Sequence, residues 1–263
     1  MSDPDEPLHA LTTEPLHALT TEPLLALTTE PLLALETATS PGSVALLSGV
    51  GVALERALPA GAATAETLLP AIDALLGAAG VPLAAIRGLA VSIGPGSFTG
   101  LRIGVATVKG LAFGASLPVA AVPTLAALAL RAPPGGGPVI AVLDARRGEV
   151  YAAGYTEPGR TLPDALPEGV YGAEELAARL PPSCRLVGEG VAVCGEAVRR
   201  GRGAGAVAAA AGEQPRALDV ARLARALFAR GVASTAADLV PRYVRRAEAE
   251  AKRTGSATEP RDG

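Results

Sequence analysis

The sequence predicts an α/β protein folded as two subdomains. Three observations point there. Residues 32–58 contain three short apolar runs separated by turn residues, the pattern of an antiparallel meander. Residues 88–114 read as a strand, a Gly-rich turn and a helix in direct succession. Pro133-Pro-Gly-Gly-Gly-Pro138 then breaks the chain near its middle, and strand-length runs begin again after it. With 263 residues, of which 49% are apolar, the chain can build one large domain or two small ones.

Residues 6–37 hold four eight-residue copies of one motif, Glu-Pro-Leu-His/Leu-Ala-Leu-Thr/Glu-Thr. Such units are too short to be supersecondary repeats. Only the last copy runs on into ordinary sequence, so it should supply the first strand, Leu32 to Leu35. The earlier copies, within residues 1–30, are expected to form a loose tail carrying His9 and His17, the two histidines of the chain. Thr37 to Gly42 is a turn, and Ser43–Leu47 and Val50–Leu58 complete the meander. Leu68, Ile72, Leu75 and Ala79 recur at helical spacing in a helix over Thr64–Gly77. Pro70 should bend that helix or sit in its first turns.

Leu89–Ile93 forms the next strand, Gly94-Pro-Gly-Ser97 the turn, and Thr99–Gly114 a helix. On that helix Gly100, Gly104, Thr107, Leu111 and Gly114 share one side, with Gly110 beside them. Leu101, Val105, Val108 and Ala112 share another, and only Arg102 and Lys109 mark a polar strip. A helix apolar around most of its circumference is covered around most of it, and its small side allows close packing. Pro118–Val122 is a strand and Thr124–Arg131 a short helix. Beyond the linker, Val139–Asp144 and Val150–Tyr155 form a hairpin around Ala145–Glu149. Residues 156–172 read as loop, Ala173–Leu180 as a helix and Arg185–Val187 as a strand. Gly188-Glu-Gly190 can open a helix, and the Ala/Gly run 204–211 has no decisive period. Leu218–Arg230 is amphipathic, with Leu223 and Leu227 inward and Arg222, Arg225 and Arg230 outward. Leu239–Val244 is an extended closing segment, and Glu248–Gly263 has the composition of a disordered tail. The expected organisation is therefore a tail over 1–30, subdomains over 31–132 and 138–245, and a tail over 246–263.

Composition excludes several functions. A net charge of −3 gives no support for a surface dedicated to nucleic acid, though it leaves open RNA contact made jointly with a basic partner. Cys184 and Cys194, the two cysteines, make neither a disulfide framework nor a four-cysteine zinc site. No apolar run is long enough to span a membrane, and the acidic, Pro-punctuated N-terminus does not read as a secretory signal; a cytoplasmic location is the default expectation. The Gly94–Gly100 turn has neither the Lys-Ser/Thr of a Walker loop nor the distal acid of a dinucleotide fingerprint. With no histidine after residue 17, a metal pair, a Ser-His-Asp triad and a Cys-His pair all lack a member. Glu36 could hold a metal-bound water or cap its turn. Asp144 and Arg146 begin a hairpin turn, where local hydrogen bonds suit them.

Leu33-Ala-Leu-Glu-Thr-Ala-Thr-Ser40, Leu68-Leu-Pro-Ala-Ile72, the long stretch Ser92 to Ala112, Ile140 to Tyr151 and Pro241-Arg-Tyr-Val-Arg245 together resemble the bacterial TsaB (YeaZ) family. The resemblance covers roughly residues 31–245. It implies an actin/Hsp70/sugar-kinase-like fold, with two subdomains of mixed sheets flanked by helices. It also implies a non-catalytic adaptor in the formation of N6-threonylcarbamoyladenosine at position 37 of tRNAs that read codons beginning with A. Such an adaptor pairs with the metal-bearing transferase subunit TsaD. The ATPase TsaE joins them, and TsaC/TsaC2 supplies the activated threonylcarbamoyl group. The partner interface implied for this chain comprises Leu68, Leu69, Ile72, Leu76, Leu101, Arg102 and Val105, and the same patch would self-pair as a homodimer without the partner. Glu36, Thr37, Thr39, Gly94, Gly96 and Ser97 would be vestiges of phosphate loops. No cofactor of its own is implied, ATP or ADP being placed at the partner interface, and tRNA is reached through the complex. Family members often carry a histidine near Thr64, which this chain lacks. The competing readings are an ATP-dependent phosphotransferase using Glu36, Thr37, Thr39 and Asp144, and a metallopeptidase, which the missing histidines oppose.

Overall fold

A computed structural model describes residues 27, 29–49, 52–202 and 207–245. The three runs of the meander form β1 (Leu32–Glu36), β2 (Ser43–Ser48) and β3 (Val52–Ala57). Helix α1 (Thr64–Ala79) follows, with Pro70 accommodated in its second turn. Gly80, in the left-handed conformation, closes α1, and Val81 N–H donates to Leu76 O at 3.1 Å. Strand β4 (Gly88–Gly94), α2 (Phe98–Ala115), β5 (Val119–Pro123) and α3 (Thr124–Ala129) complete the first half.

The second half contains β6 (Val139–Asp144), β7 (Glu149–Tyr155), β8 (Leu166–Gly172), α4 (Ala173–Arg179), β9 (Cys184–Gly188), α5 (Val191–Arg202) and β10 (Val207–Ala211). Helix α6 (Ala217–Ala229) then leads back to the first half.

The sheet orders are β3-β2-β1-β4-β5 and β10-β9-β6-β7-β8. In each, a central strand starts an antiparallel meander on one side and pairs in parallel on the other. The two halves therefore share one connectivity, the expected actin/Hsp70/sugar-kinase-like arrangement. Helices α1 and α2 cover one face of the first sheet, burying Leu68, Ile72, Leu76, Val105 and Val108 against Leu33, Leu35, Leu89 and Val91. Helices α3 and α6 lie in a core shared by the other face and the second sheet, with Leu32, Ala34, Val122, Leu125, Val139, Tyr155, Leu223 and Phe228. Helices α4 and α5 cover the remaining face. Strand β1 is buried on both sides, which explains its unbroken apolar run.

Three expectations need correction, and one stretch left open is settled. Residues 166–172, read as loop, form β8. Pro167 and Gly169 disguise a strand that lies at a sheet edge, where proline is tolerated. The Ala-rich run resolves as β10, set by parallel pairing with β9. Arg225 does not point freely outward: its Nη1 donates to Gly49 O at 3.0 Å. Leu27, from the third copy of the repeat, is not loose. It is 5% exposed and joins the shared core, while Thr29 O accepts from Gly49 N–H at 2.8 Å. The last copy supplies β1 as expected. Residues 1–26, with both histidines, and the tail 246–263 lie outside the described residues.

Candidate functional site

Glu36 ends β1 and turns its carboxylate back onto the turn that follows. Its Oε1 accepts from the Ala38 and Thr39 amides at 2.7 and 3.2 Å, and from Ser92 Oγ at 3.3 Å. Its Oε2 accepts from Thr39 Oγ1 at 2.8 Å. The side chain is sealed from solvent. Burial pushes its pKa up to about 7, against the opposing pull of Thr39, Ala38 and Ser92.

The Gly-rich turn locks onto this one. Ser97 N–H donates to Ala38 O at 2.7 Å, and Ser97 Oγ caps α2 by accepting from Gly100 N–H at 3.2 Å. Gly94 N–H donates to Thr124 Oγ1 at 3.1 Å. The small side of α2 has a definite occupant. A Cβ on Gly100 would fall on Thr37 O, and one on Gly104 on Thr37 Oγ1. The fold thus brings Glu36, Thr37, Thr39, Gly94, Gly96 and Ser97 into one cluster, but the amides of Ala38, Thr39, Ser97 and Gly100 are bonded within it. In the β6–β7 turn, Arg146 N–H donates to Asp144 Oδ1 at 2.7 Å and Ala145 N–H to Glu149 O at 2.9 Å. These backbone amides of both turns are satisfied internally, an arrangement that braces the chain, while Thr37 Oγ1 is buried without a hydrogen-bond partner.

The closing segment crosses this region, a contact the sequence did not announce. Arg242 N–H donates to Ile93 O at 2.7 Å, and Arg242 O occupies the place of a Cβ on Gly94. The Tyr243 ring lies 4.9 Å from that of Phe98, and Arg102 stacks 4.1 Å over Phe98 while its Nε donates to Tyr243 Oη at 3.0 Å.

The expected partner surface divides in two. Leu68, Ile72, Leu76, Leu101 and Val105 are buried within this chain and offer no contact area, because the apolar stripe of each helix faces its own sheet. Leu69 and Arg102 are exposed. Leu69 is 56% exposed and Phe113, which the sequence reading passed over, 85%. The outer faces of α1 and α2 also carry Ala65, Ala74, Gly77, Ala106 and Gly110, all exposed, together with the exposed carboxylates Glu66 and Asp73, one turn to either side of Leu69. Both large side chains sit off the apolar stripe, and that displacement was the signal available in the sequence.

Elsewhere, an open pocket of about 500 Å3 lies between Ser43, Glu55 and the 212–216 loop. Its walls serve α6: Ser43 Oγ and Glu55 Oε1 accept from the Ala217 and Leu218 amides at 2.8 and 3.2 Å. Among the described residues no group of three or more His, Cys, Asp or Glu is placed to hold a metal ion, and no helix is long and apolar enough to cross a membrane.

Residues 58–253 match the family model of TsaD, tRNA N6-adenosine threonylcarbamoyltransferase. The tRNA threonylcarbamoyladenosine biosynthesis protein TsaB of Bacillus subtilis is 32% identical over 188 residues, covering 70% of this chain and 80% of that protein. Its Escherichia coli counterpart is 40% identical over 119 residues, covering 44% of this chain and about half, 48%, of that protein's length. Among solved structures, YeaZ from Pseudomonas aeruginosa aligns with a TM-score of 0.72 at 37% identity, over 82% of this chain and 100% of that one.

Proposed function

The chain belongs to the TsaB (YeaZ) family, and on that premise we propose that it is a non-catalytic adaptor in the synthesis of N6-threonylcarbamoyladenosine at position 37 of tRNAs reading codons that begin with A. It pairs with the TsaD transferase through the outer face of α1 and α2. The observation that carries this reading is the exposure of Leu69 and Phe113 on the outer faces of two neighbouring helices that also expose several small residues, with Glu66 and Asp73 flanking Leu69. Uncovered apolar surface of this kind marks an interaction site, and the small residues let a partner's helices approach closely. The match to the transferase's own family model supports a partner of the same fold. Two related chains can pair through equivalent helices about a pseudo-two-fold axis, and two copies of this chain would pair the same way when the partner is absent.

The adaptor role, without catalysis, also has support from chemistry. No histidine follows residue 17, so a metal-bearing transferase centre has no imidazole among the described residues. The phosphotransferase reading needs the turn amides for phosphate oxygens, and Glu36 holds them. ATP or ADP then belongs at the shared interface, the TsaE ATPase joins the pair, and tRNA is met through the assembly in the cytoplasm. The test is reconstitution. The purified chain should be inactive alone and should raise tRNA modification when added to TsaD, TsaE and the source of activated threonylcarbamoyl. Modification at the same rate without it would overturn the reading.

A further inference from the structure

The closing segment touches both subdomains within seven residues. Leu239 is buried in the core beneath α1 and α2. Tyr243 lies on Phe98 at the start of α2. Between and beyond them, two arginines reach the other sheet. Arg242 Nη2 stands 3.1 Å from Glu168 Oε1 on β8. Arg245 pairs with Glu149 on β7, and its Nη1 donates to Ala145 O at 2.7 Å.

Glu168 makes this more than a surface contact. Its side chain is 4% exposed, and beyond the ion pair with Arg242 neither carboxylate oxygen has a hydrogen-bond partner. The hydroxyl of Tyr155, equally buried, has none either. Burial raises the pKa of Glu168, and the Arg242 guanidinium acts against that rise. A buried charge without a counter-charge is strongly unfavourable, so the position of Arg242 is tied to the integrity of β8. The other side of the segment is equally committed. Arg242 N–H bonds Ile93 O, and Gly94 leaves no Cβ in the way of Arg242 O.

We infer that Leu239–Arg245 is a latch that holds the two subdomains in a fixed relation, seated on Gly94 and Phe98 in the first and gripping Glu149 and Glu168 in the second. Opening the latch loosens its seats on both subdomains together, because its contacts on the two sides are made by adjacent residues, while the shared core continues to join the halves. The two sheets, joined inside by their shared core, are thereby tied at the surface as well, and Tyr243 packs on Phe98 at the start of α2.

The test is hydrogen exchange on the full chain carrying Arg242→Ala with Arg245→Ala. Amide exchange in 94–101 and in 149–155 with 166–172 is expected to accelerate together, at least tenfold, while α4 stays as protected as in the parent. Unchanged exchange in either region, or acceleration confined to residues 239–245, would overturn the latch. Should the double variant fail to fold, the pair Arg242→Glu with Glu168→Arg decides. Restored protection in that swap, against loss in each single change, supports the latch; protection no better than in the singles counts against it.

Discussion

Adding one methyl group at three places on α2 should give opposite results. Gly104→Ala gains roughly 1 kcal/mol of helix propensity. The new Cβ, however, falls on Thr37 Oγ1, with Thr37 Cβ and Cγ2 both 3.3 Å away. Thr37 cannot retreat, since the residues on either side of it are bonded to each other through the Glu36 carboxylate and the Ala38 amide. Overpacking of this kind costs about 1–3 kcal/mol; taken at about 2 and set against the roughly 1 kcal/mol of propensity, it leaves an expected net loss of about 1 kcal/mol. Gly100→Ala meets the Thr37 carbonyl, which is backbone, and should lose more. Gly110→Ala meets nothing within 4 Å and should gain about 1 kcal/mol. At roughly 2–4 °C per kcal/mol for a chain of this size, the melting temperatures of the Gly104 and Gly110 variants should stand on opposite sides of the parent. Circular dichroism melts measure this directly. Thr37→Ala should recover part of the loss in the Gly104→Ala background, a coupling that a double-mutant cycle isolates. A Gly104→Ala protein as stable as the parent would refute the argument that Gly100 and Gly104 exist to admit Thr37.

Glu36 should make stability fall as pH rises. Its folded pKa stands near 7 against an ordinary 4.5; its contribution is full below 4.5, declines from there to 7 by about 3 kcal/mol, and is constant above. Urea midpoints at pH 5 and pH 8 should differ less for Glu36→Gln than for the parent, and an equal difference would show that the site does not titrate so. Val105→Asp puts an unpaired charge in the core and should prevent folding at moderate temperature, whereas Leu69→Asp should shift the melt by no more than about 2 °C. Leu27→Ala should cost about 2–3 kcal/mol despite lying outside the first strand, and a melt unchanged by it would remove Leu27 from the core.

Most strands and helices were legible because their apolar periods are strong and their turns carry Gly and Pro. Strand β8 was hidden by Pro167 and Gly169, although the repeated connectivity of the two halves calls for a third meander strand at that point. Strand β10 owes its state to β9, since Ala and Gly carry no period of their own. A helical wheel separates apolar from polar sides but does not say which cover an apolar side receives. The regular stripe of Leu68, Ile72 and Val105 belongs to this chain's own sheet, and the displaced Leu69 and Phe113 are the ones left open. The ion pairs of Arg242 and Arg245 join residues far apart in sequence, and nothing local encodes such pairs.

Calorimetric titration of this chain against TsaD, comparing the parent with Leu69→Asp combined with Phe113→Asp, bears most directly on the adaptor role. Tight binding by the parent is expected, with at least a thirtyfold loss, about 2 kcal/mol, in a double variant whose melt matches the parent's. Equal affinity of the two proteins, or no binding by either, would contradict it.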